Sequence, residues 1–172
     1  MRAIGLTLSG ILVLSLCGIV AVGQTKAGKG GGERRDPPAP TDKAVSWSMA
    51  DMKKVAEELA ADKQTTHRFF GEKGYNMEVR RLVGPQPILL HGRKSDFMLI
   101  QDGEGTFMSG GELVGGKPGG EDQGDMRGDS IRGGVSRVLK PGDVMYVPAG
   151  IPHGFVETND HVTFVMLRFD SK

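Results

Sequence analysis

The stretch that decides the fold is residues 142–157, which read GDVMYVPAGIPHGFVE. Two short runs rich in Val and aromatic residues flank a Pro-Ala-Gly corner at residues 148–150. Proline and glycine favour tight turns, so this corner reverses the chain. The sequence therefore predicts two strands joined at the corner, with His153 at the start of the second strand.

Short strands of the same kind are predicted over most of the chain. From about residue 77 onward, runs rich in Val, Leu, Ile and Phe are broken by Gly, Pro and Asp at intervals of roughly 8 to 12 residues. The candidate strands are Glu78–Val83, Pro87–His91, Asp96–Gln101, Gly105–Ser109, Val135–Leu139, Asp143–Val147, His153–Glu157 and Val162–Phe169. The pattern predicts an all-β domain, and about eight strands fit a small closed β-barrel or a double-sheet jelly roll. Ten glycines between residues 110 and 134 indicate a mobile flap rather than a packed core.

The composition agrees with one globular domain. The chain has 172 residues, of which 38% are hydrophobic and 25% charged, as is typical of a folded protein. Glycine is enriched, with 27 residues, and this supports turns and β structure. The 22 Lys and Arg residues nearly balance the 21 Asp and Glu residues, so the formal net charge is +1. This balance argues against a nucleic-acid partner, which favours a strongly basic surface.

The N-terminal residues differ from the rest of the chain. Arg2 is the only charged side chain among residues 1–23, and the stretch that follows it is almost wholly apolar. Such a segment predicts a signal peptide cleaved after Gly23, and hence a periplasmic or secreted protein without membrane contact after cleavage. The alternatives are an uncleaved anchor and a lipoprotein through Cys17, although Leu16 stands where a lipoprotein signal requires a small residue. Because the chain has one cysteine, the mature protein has neither a disulfide nor a thiol nucleophile.

A linker and a helix precede the strands. Gly, Lys, Pro and charged residues dominate residues 24–44 and predict a flexible linker. The domain that follows, residues 45–172, begins with a helix at about residues 48–62. Ser48 is the predicted N-cap, and Asp51 three positions on completes an acidic capping box. The apolar residues that share one face of this helix are Met52, Val55, Ala56 and Leu59. That face predicts packing of the helix against the domain.

The opening stretch resembles the second motif of the cupin superfamily. The family pattern G-x5-P-x-G-x2-H-x3-N is matched at Gly142, Pro148, Gly150 and His153, with Glu157 in the place of Asn. Four residue types at fixed spacing carry this resemblance, which extends over residues 77–169 and implies the cupin β-barrel.

A second segment, residues 89–103, reads LLHGRKSDFMLIQDG and resembles the first cupin motif. The pattern G-x5-H-x-H-x3,4-E-x6-G is met at His91 and Gly103, with Asp96 in the place of Glu and Leu89 in the place of the first His. Gly84 precedes Leu89 by one position fewer than the pattern requires. This chain is similar to small single-domain bacterial cupins that have H-x4-D in the first motif and a G-I-x-G-G run before the second. The corresponding run in this chain, before its second motif, reads SIRGG.

The spacing brings three side chains of the metal-ligand type toward one place. Residues 92–95 can form a turn between strands, so that His91 faces Asp96. His153 starts the strand after the corner and is expected to point inward. Two imidazoles and one carboxylate bind Fe(II), and similar sets hold Mn, Ni or Zn. The alternative is a buried hydrogen-bonded cluster of the same three residues that binds no metal.

Other residues of these strands are expected to point to the same, inward face as the candidate ligands, because alternate residues of a strand share a face. Glu157 is expected to point inward, where a carboxylate can transfer protons as a catalytic acid or base, and an exposed strand end is the alternative. The apolar side chains with inward parity are Met98, Ile100 and Phe155. They predict a mostly apolar pocket, which is also what a barrel core needs. His67 and His161 are expected to be exposed.

Two classes of function follow from the residues and the resemblance. The first is an exported single-domain cupin that binds a divalent metal and a small organic ligand inside the barrel, and that catalyses an oxygenase, isomerase or lyase reaction. The alternative is a non-catalytic cupin that binds a sugar or an acid without metal. A structural barrel that works through partner contacts is a third possibility. The resemblance also implies a homodimer formed through sheet edges.

Overall fold

The computed structural model describes residues 36–120 and 122–172, which form one helix and eleven strands. Their bounds are α1 Met49–Ala61, β1 Thr66–Glu72, β2 Tyr75–Leu82, β3 Ile88–Leu90, β4 Lys94–Ser109, β5 Glu112–Val114, β6 Lys117–Pro118, β7 Met126–Gly128, β8 Ser130–Arg132, β9 Val135–Leu139, β10 Val144–Val147 and β11 His153–Asp170. Nine strands join in one antiparallel sheet, while β5 and β8 pair separately. The predicted all-β fold with an N-terminal helix is confirmed.

The two long strands β4 and β11 form the centre of the fold. They pair antiparallel along their whole lengths, from Lys94 opposite Asp170 to Ser109 opposite His153. β11 also pairs with β2 and β3, and β4 also pairs with β9 and β10. Each long strand takes the place of two predicted strands. In β11, the predicted break near residues 158–161 is a shift of register inside a continuous strand. Such shifts bend a strand without ending its pairing.

An apolar core lies between the inward faces of these strands. Its buried members are Leu82, Met98, Ile100, Phe107, Leu139, Val147, Phe155, Val162, Phe164 and Met166. Neighbouring aromatic rings contribute directed contacts, since the rings of Phe107 and Phe155 meet edge to face at 5.0 Å. Burial of these side chains is the main stabilising contribution to the barrel.

The helix packs on the outer face of β2 through a second apolar cluster. Met52 and Leu59 are buried against Val79. The helix begins with the predicted capping box, in which the backbone N–H of Asp51 donates to Ser48 Oγ at 3.2 Å and the N–H of Ser48 donates to Asp51 Oδ2 at 2.7 Å. The helix and its packing face are therefore confirmed. β1, which precedes β2, has no counterpart among the predicted strands.

The glycine-rich residues 110–134 differ most from the prediction. They contain four short strands, β5 to β8, and β7 pairs with β3. Glycine permits close packing here, because a Cβ at Gly128 would lie 2.4 Å from the side chain of Leu113 and one at Gly111 would lie 2.3 Å from the carbonyl oxygen of Arg132. The expectation that this segment has no packed structure is therefore wrong, residue 121 apart.

The end of the predicted linker lies against β1. The N–H of Gly71 donates to the carbonyl of Pro37 at 2.9 Å, and the N–H of Ala39 donates to Glu72 Oε1 at 3.1 Å. These contacts hold residues 36–39 to the sheet.

Two predictions fall outside the described residues. They are the signal peptide, residues 1–23, and the first part of the linker, residues 24–35. Within residues 36–120 and 122–172, no helix has the length and apolar character that a membrane span requires.

Candidate metal and ligand site

Inward side chains of β2, β4 and β11 line a cavity of about 290 Å³. The apolar part of the lining, the apolar wall, includes Leu82, Met98, Phe155, Phe164 and Met166. The charged part, the charged wall, includes Glu78, Arg80, Asp96, Asp125 and Arg168. The sequence predicted a mostly apolar pocket with Met98, Ile100 and Phe155 in its lining. Met98 and Phe155 line the cavity, whereas Ile100 is buried in the core, and the prediction is correct for the apolar wall only.

The three predicted ligand residues meet in this cavity. One ligand atom from each of His91, Asp96 and His153 lies within 4.8 Å of the others, and all three residues are buried. The imidazole rings of the two histidines are 5.5 Å apart between centroids. Each residue belongs to a different part of the fold: His91 follows β3, Asp96 lies in β4 and His153 begins β11.

The Pro-Ala-Gly corner joins the two histidine segments. Gly150 has a φ of +86°, which suits glycine, and its N–H donates to the carbonyl of His91 at 2.7 Å. The predicted hairpin across residues 92–95 is wrong, because β3 pairs with β11 and β7 while β4 pairs with β10 and β11. Asp96 instead lies opposite Val147 of β10 and Arg168 of β11.

Hydrogen bonds fix the orientation of both histidines and place a proton on each Nδ1 atom. His91 Nδ1 lies 3.2 Å from Asp125 Oδ2, and His153 Nδ1 lies 2.8 Å from the carbonyl oxygen of Ile151. Both partners are acceptors, so each Nδ1 carries a proton, and the neutral form of His91 has its lone pair at Nε2. His91 Nε2 is buried and has no hydrogen-bond partner among residues 36–120 and 122–172. Burial, followed by the charge of Arg168, lowers the pKa of His91 and favours this neutral form.

Asp96 is held as a buried carboxylate. Arg168 donates to it twice, from Nε to Oδ1 at 2.6 Å and from a terminal nitrogen to Oδ2 at 2.8 Å. His153 Nε2 lies 3.3 Å from the same Oδ2. Burial alone raises the pKa of Asp96, but the hydrogen bonds from Arg168 and His153 outweigh it and hold this pKa well below its usual range. The carboxylate is therefore ionised at neutral pH.

Several residues of the cavity were not predicted from the sequence. Asp125 orients His91, Arg168 binds Asp96, and Glu78 and Arg80 extend the charged wall. The alternation of Glu78 and Arg80 in β2 could have predicted two charged side chains on one face of the sheet, since residues two apart on a strand share a face. Asp125 had no such signal, because it lies in the glycine-rich segment.

The remaining predicted candidates lie away from the cavity. Glu157 is exposed, and the direction predicted for it is wrong because the register shifts between Phe155 and Glu157. A catalytic role inside the pocket does not fit this position. His161 is bound by Asp102 and Asp160 at the surface, and His67 is half-buried beside the ring of Phe69.

The donor set fits a divalent metal ion. Two imidazole Nε2 atoms and a carboxylate form the facial set typical of Fe(II) sites and related ions. Their outer hydrogen bonds, from His91 to Asp125 and from His153 to Ile151, are of the kind that orients metal ligands. The buried, unpartnered Nε2 of His91 is the observation that favours an ion here.

Comparisons with known proteins concern the fold. No protein-family model matches the sequence, and no curated protein matches it either. Among solved structures, BH2720 from Bacillus halodurans superposes with a TM-score of 0.52 at 10% identity, covering 80% of this chain and 87% of that one. A Klebsiella pneumoniae protein with a double-stranded β-helix domain gives a TM-score of 0.42 at 14% identity, covering 61% and 75%. The cupin domain of Schizosaccharomyces pombe Cnp3 gives 0.41 at 10% identity, covering 62% and 60%.

The antiparallel β fold agrees with the cupin-type β-barrel that the two motifs predicted. Because the cupin barrel hosts many chemistries, the function has to be argued from the site itself.

Proposed function

We propose that this protein is a metal-binding cupin whose ion is held by Nε2 of His91, Nε2 of His153 and the carboxylate of Asp96, and that a small organic ligand occupies the same cavity. One observation carries the proposal. Both imidazoles donate their Nδ1 proton to an acceptor other than the candidate ligands, which leaves both Nε2 atoms to face the other candidate ligands.

The contact between His153 and Asp96 supports the same reading. His153 Nε2 lies 3.3 Å from Asp96 Oδ2, and in the metal-free protein this contact is a hydrogen bond. A divalent cation coordinated by both atoms replaces the shared proton and also gives His91 Nε2 a partner.

The residues around the site have separate tasks in this proposal. Arg168 keeps Asp96 ionised and fixes its plane, Asp125 fixes the ring of His91, and the apolar wall with Phe155 and Phe164 limits water. A bound Fe, Mn, Ni or Zn ion supplies Lewis acidity toward an organic ligand and, for a redox metal, electron transfer. The reaction classes that use such a site include oxygenase, isomerase and lyase reactions.

Elemental analysis of the full chain, purified without a polyhistidine tag, tests the proposal. We expect close to one divalent ion per chain in the wild type and its loss in His91→Ala and His153→Ala. His67→Gln is the matched control, because this histidine lies outside the cavity, and it retains the metal. Wild-type protein that stays folded but takes up no Fe, Mn, Ni or Zn would refute metal binding.

One observation favours a second function, the binding of an organic molecule without metal. Both oxygens of Asp96 already accept hydrogen bonds from Arg168, which weakens the carboxylate as a metal ligand. In that case a ligand stabilises the metal-free protein against unfolding and is recovered unchanged.

Export and dimerisation are further parts of the proposal. The apolar N-terminal segment supports export, and sequencing of the N-terminus of the protein recovered from the periplasm or medium tests for cleavage after Gly23. An apolar patch on the outer face of the sheet supports a homodimer: Phe97 is 41% exposed and lies opposite Tyr146, 53% exposed, and Leu167, 36% exposed. Light scattering coupled to size-exclusion chromatography tests for the dimer, which Tyr146→Ser is expected to weaken.

A further inference from the structure

Most charged groups of the cavity wall are already paired with each other. Arg168 binds Asp96 through two hydrogen bonds. Lys94 Nζ lies 2.6 Å from Asp122 Oδ2. These pairs neutralise one another, so they leave no strong attraction for an additional charged molecule.

Arg80 differs because its acidic neighbour is bound by another residue. Arg68 contacts Glu78 Oε2 from Nε at 3.1 Å and from a terminal nitrogen at 3.0 Å. The nearest nitrogen of Arg80, Nε, lies 3.8 Å from Glu78 Oε1, beyond hydrogen-bond distance. Within residues 36–120 and 122–172, the side chain of Arg80 donates no hydrogen bond, and its Nε is buried without a partner.

The surroundings of Arg80 carry further positive charge. Burial is the main cause that lowers the pKa of Arg80; the charges of Glu78 and Asp96 oppose it, and the charges of Arg168 and Arg127 add to it by repulsion. Arg127 lines the same cavity, is exposed, and forms no ion pair in the described part of the chain. A buried N–H donor such as Arg80 Nε is costly to leave without an acceptor, so a bound acceptor stabilises the folded state.

We infer that the cavity binds a small organic anion, a carboxylate or a phosphate ester, whose acidic group lies against Arg80. The planar guanidinium group has donors that match the spacing of two oxygens of such a group. The apolar wall formed by Leu82, Phe155 and Phe164 receives the carbon skeleton. A volume of about 290 Å³ restricts the ligand to a small molecule. The inference deepens the proposed function, since it names the ligand class of the same cavity.

Paired probes that differ only in charge test this inference. Isothermal titration calorimetry is done on the full chain with succinate and succinamide, and with glucose 6-phosphate and glucose. Metal is first removed with EDTA, and the EDTA is then dialysed away, so that binding to a metal ion does not contribute. We expect at least one anion to bind about tenfold or more tightly than its neutral analogue.

Substitution of Arg80 assigns the binding to this residue. Arg80→Met keeps the apolar stem and removes the donors, and we expect it to weaken anion binding about tenfold or more. Arg80→Lys retains part of the affinity, because it keeps the charge without the paired donors. The control is Arg137→Met, which removes an exposed arginine of β9 outside the cavity and leaves the affinity unchanged. Circular dichroism verifies that each variant is folded.

The outcomes separate this inference from the metal proposal. Equal affinity for both members of each pair, or anion binding that Arg80→Met does not change, would overturn the inference whether or not the protein binds metal. Arg80-dependent anion binding by a wild-type protein that takes up no metal would support the inference and refute the metal proposal.

Discussion

Replacement of Arg168 by Met tests how the charged wall of the cavity is stabilised. The change keeps an apolar side chain of similar length and removes both hydrogen bonds to Asp96, at 2.6 and 2.8 Å. Asp96 is only 2% exposed, so water does not replace the lost donors. Removing one partner of a buried ion pair costs about 3–5 kcal/mol. Because His153 still contacts Asp96 at 3.3 Å, we expect the lower end, about 3 kcal/mol.

Urea denaturation of the metal-free protein at pH 7 measures this difference. With a dependence of about 2 kcal/mol per molar urea, a loss of about 3 kcal/mol lowers the unfolding midpoint by about 1.5 M. The control Arg137→Met removes an exposed arginine and is expected to stay within about 0.5 kcal/mol of wild type.

A double variant makes the test independent of whether the single variant folds. Combining Arg168→Met with Asp96→Leu removes both charges, and replacing a buried pair by apolar side chains is often neutral or stabilising. We therefore expect the double variant to regain most of the lost stability. If Arg168→Met lies within about 1 kcal/mol of wild type, or if the double variant is less stable than Arg168→Met, the account of Asp96 as a carboxylate stabilised by Arg168 is wrong.

Three further predictions concern other parts of the molecule. Asp125→Asn disturbs the orientation of the neighbouring imidazole and is expected to weaken metal binding about 10- to 100-fold in a competition titration. Gly103→Ala places a Cβ 2.1 Å from the carbonyl oxygen of His161 at a φ of +69°, so its melting temperature falls further than that of Gly142→Ala, which has a φ of +93° and no atom within 4 Å. Asp51→Ala destabilises the protein at pH 7, because hydrogen bonds from Ser48 lower the pKa of Asp51 in the folded state. Because the pKa of Asp51 is lower in the folded state, its ionised form stabilises the protein above the pKa of the unfolded state, about 3.9, and this stabilisation is lost as the pH falls below the folded-state pKa. The denaturation midpoints of wild type and Asp51→Ala are therefore expected to converge below about pH 4. A difference between them that does not change with pH would contradict this prediction.

The glycine-rich segment supplies part of the charged wall of the cavity. Leu89 stands in the place of the first histidine of the first cupin motif and lies opposite Arg127 of β7. The glycine-rich segment that carries β7 also supplies Asp125, the partner of His91. In this chain the segment that looked least structured therefore contributes to the cavity wall.

The local sequence determined the features that depend on neighbours along the chain. The capping box of Ser48 and Asp51 lies within one helical turn, and the Pro-Ala-Gly corner fixes the start of β11 at His153. The motif spacing also identified the three residues that meet in the cavity, although their convergence was expected through a hairpin that does not form. Short-range spacing was sufficient because each residue lies next to a turn or a strand end.

Only the tertiary structure decided the charge pattern of the site. Arg168 reaches Asp96 across 72 positions of sequence, and Asp125 reaches His91 across 34. Strand periodicity gives the face of a residue but not its partner, which depends on pairing and register. The register shift between Phe155 and Glu157 turned the predicted catalytic carboxylate outward, because an added residue at a bulge reverses the side on which the next side chains lie. The strand pairings, and with them the electrostatics of the cavity, were set by long-range contacts that no local pattern contains.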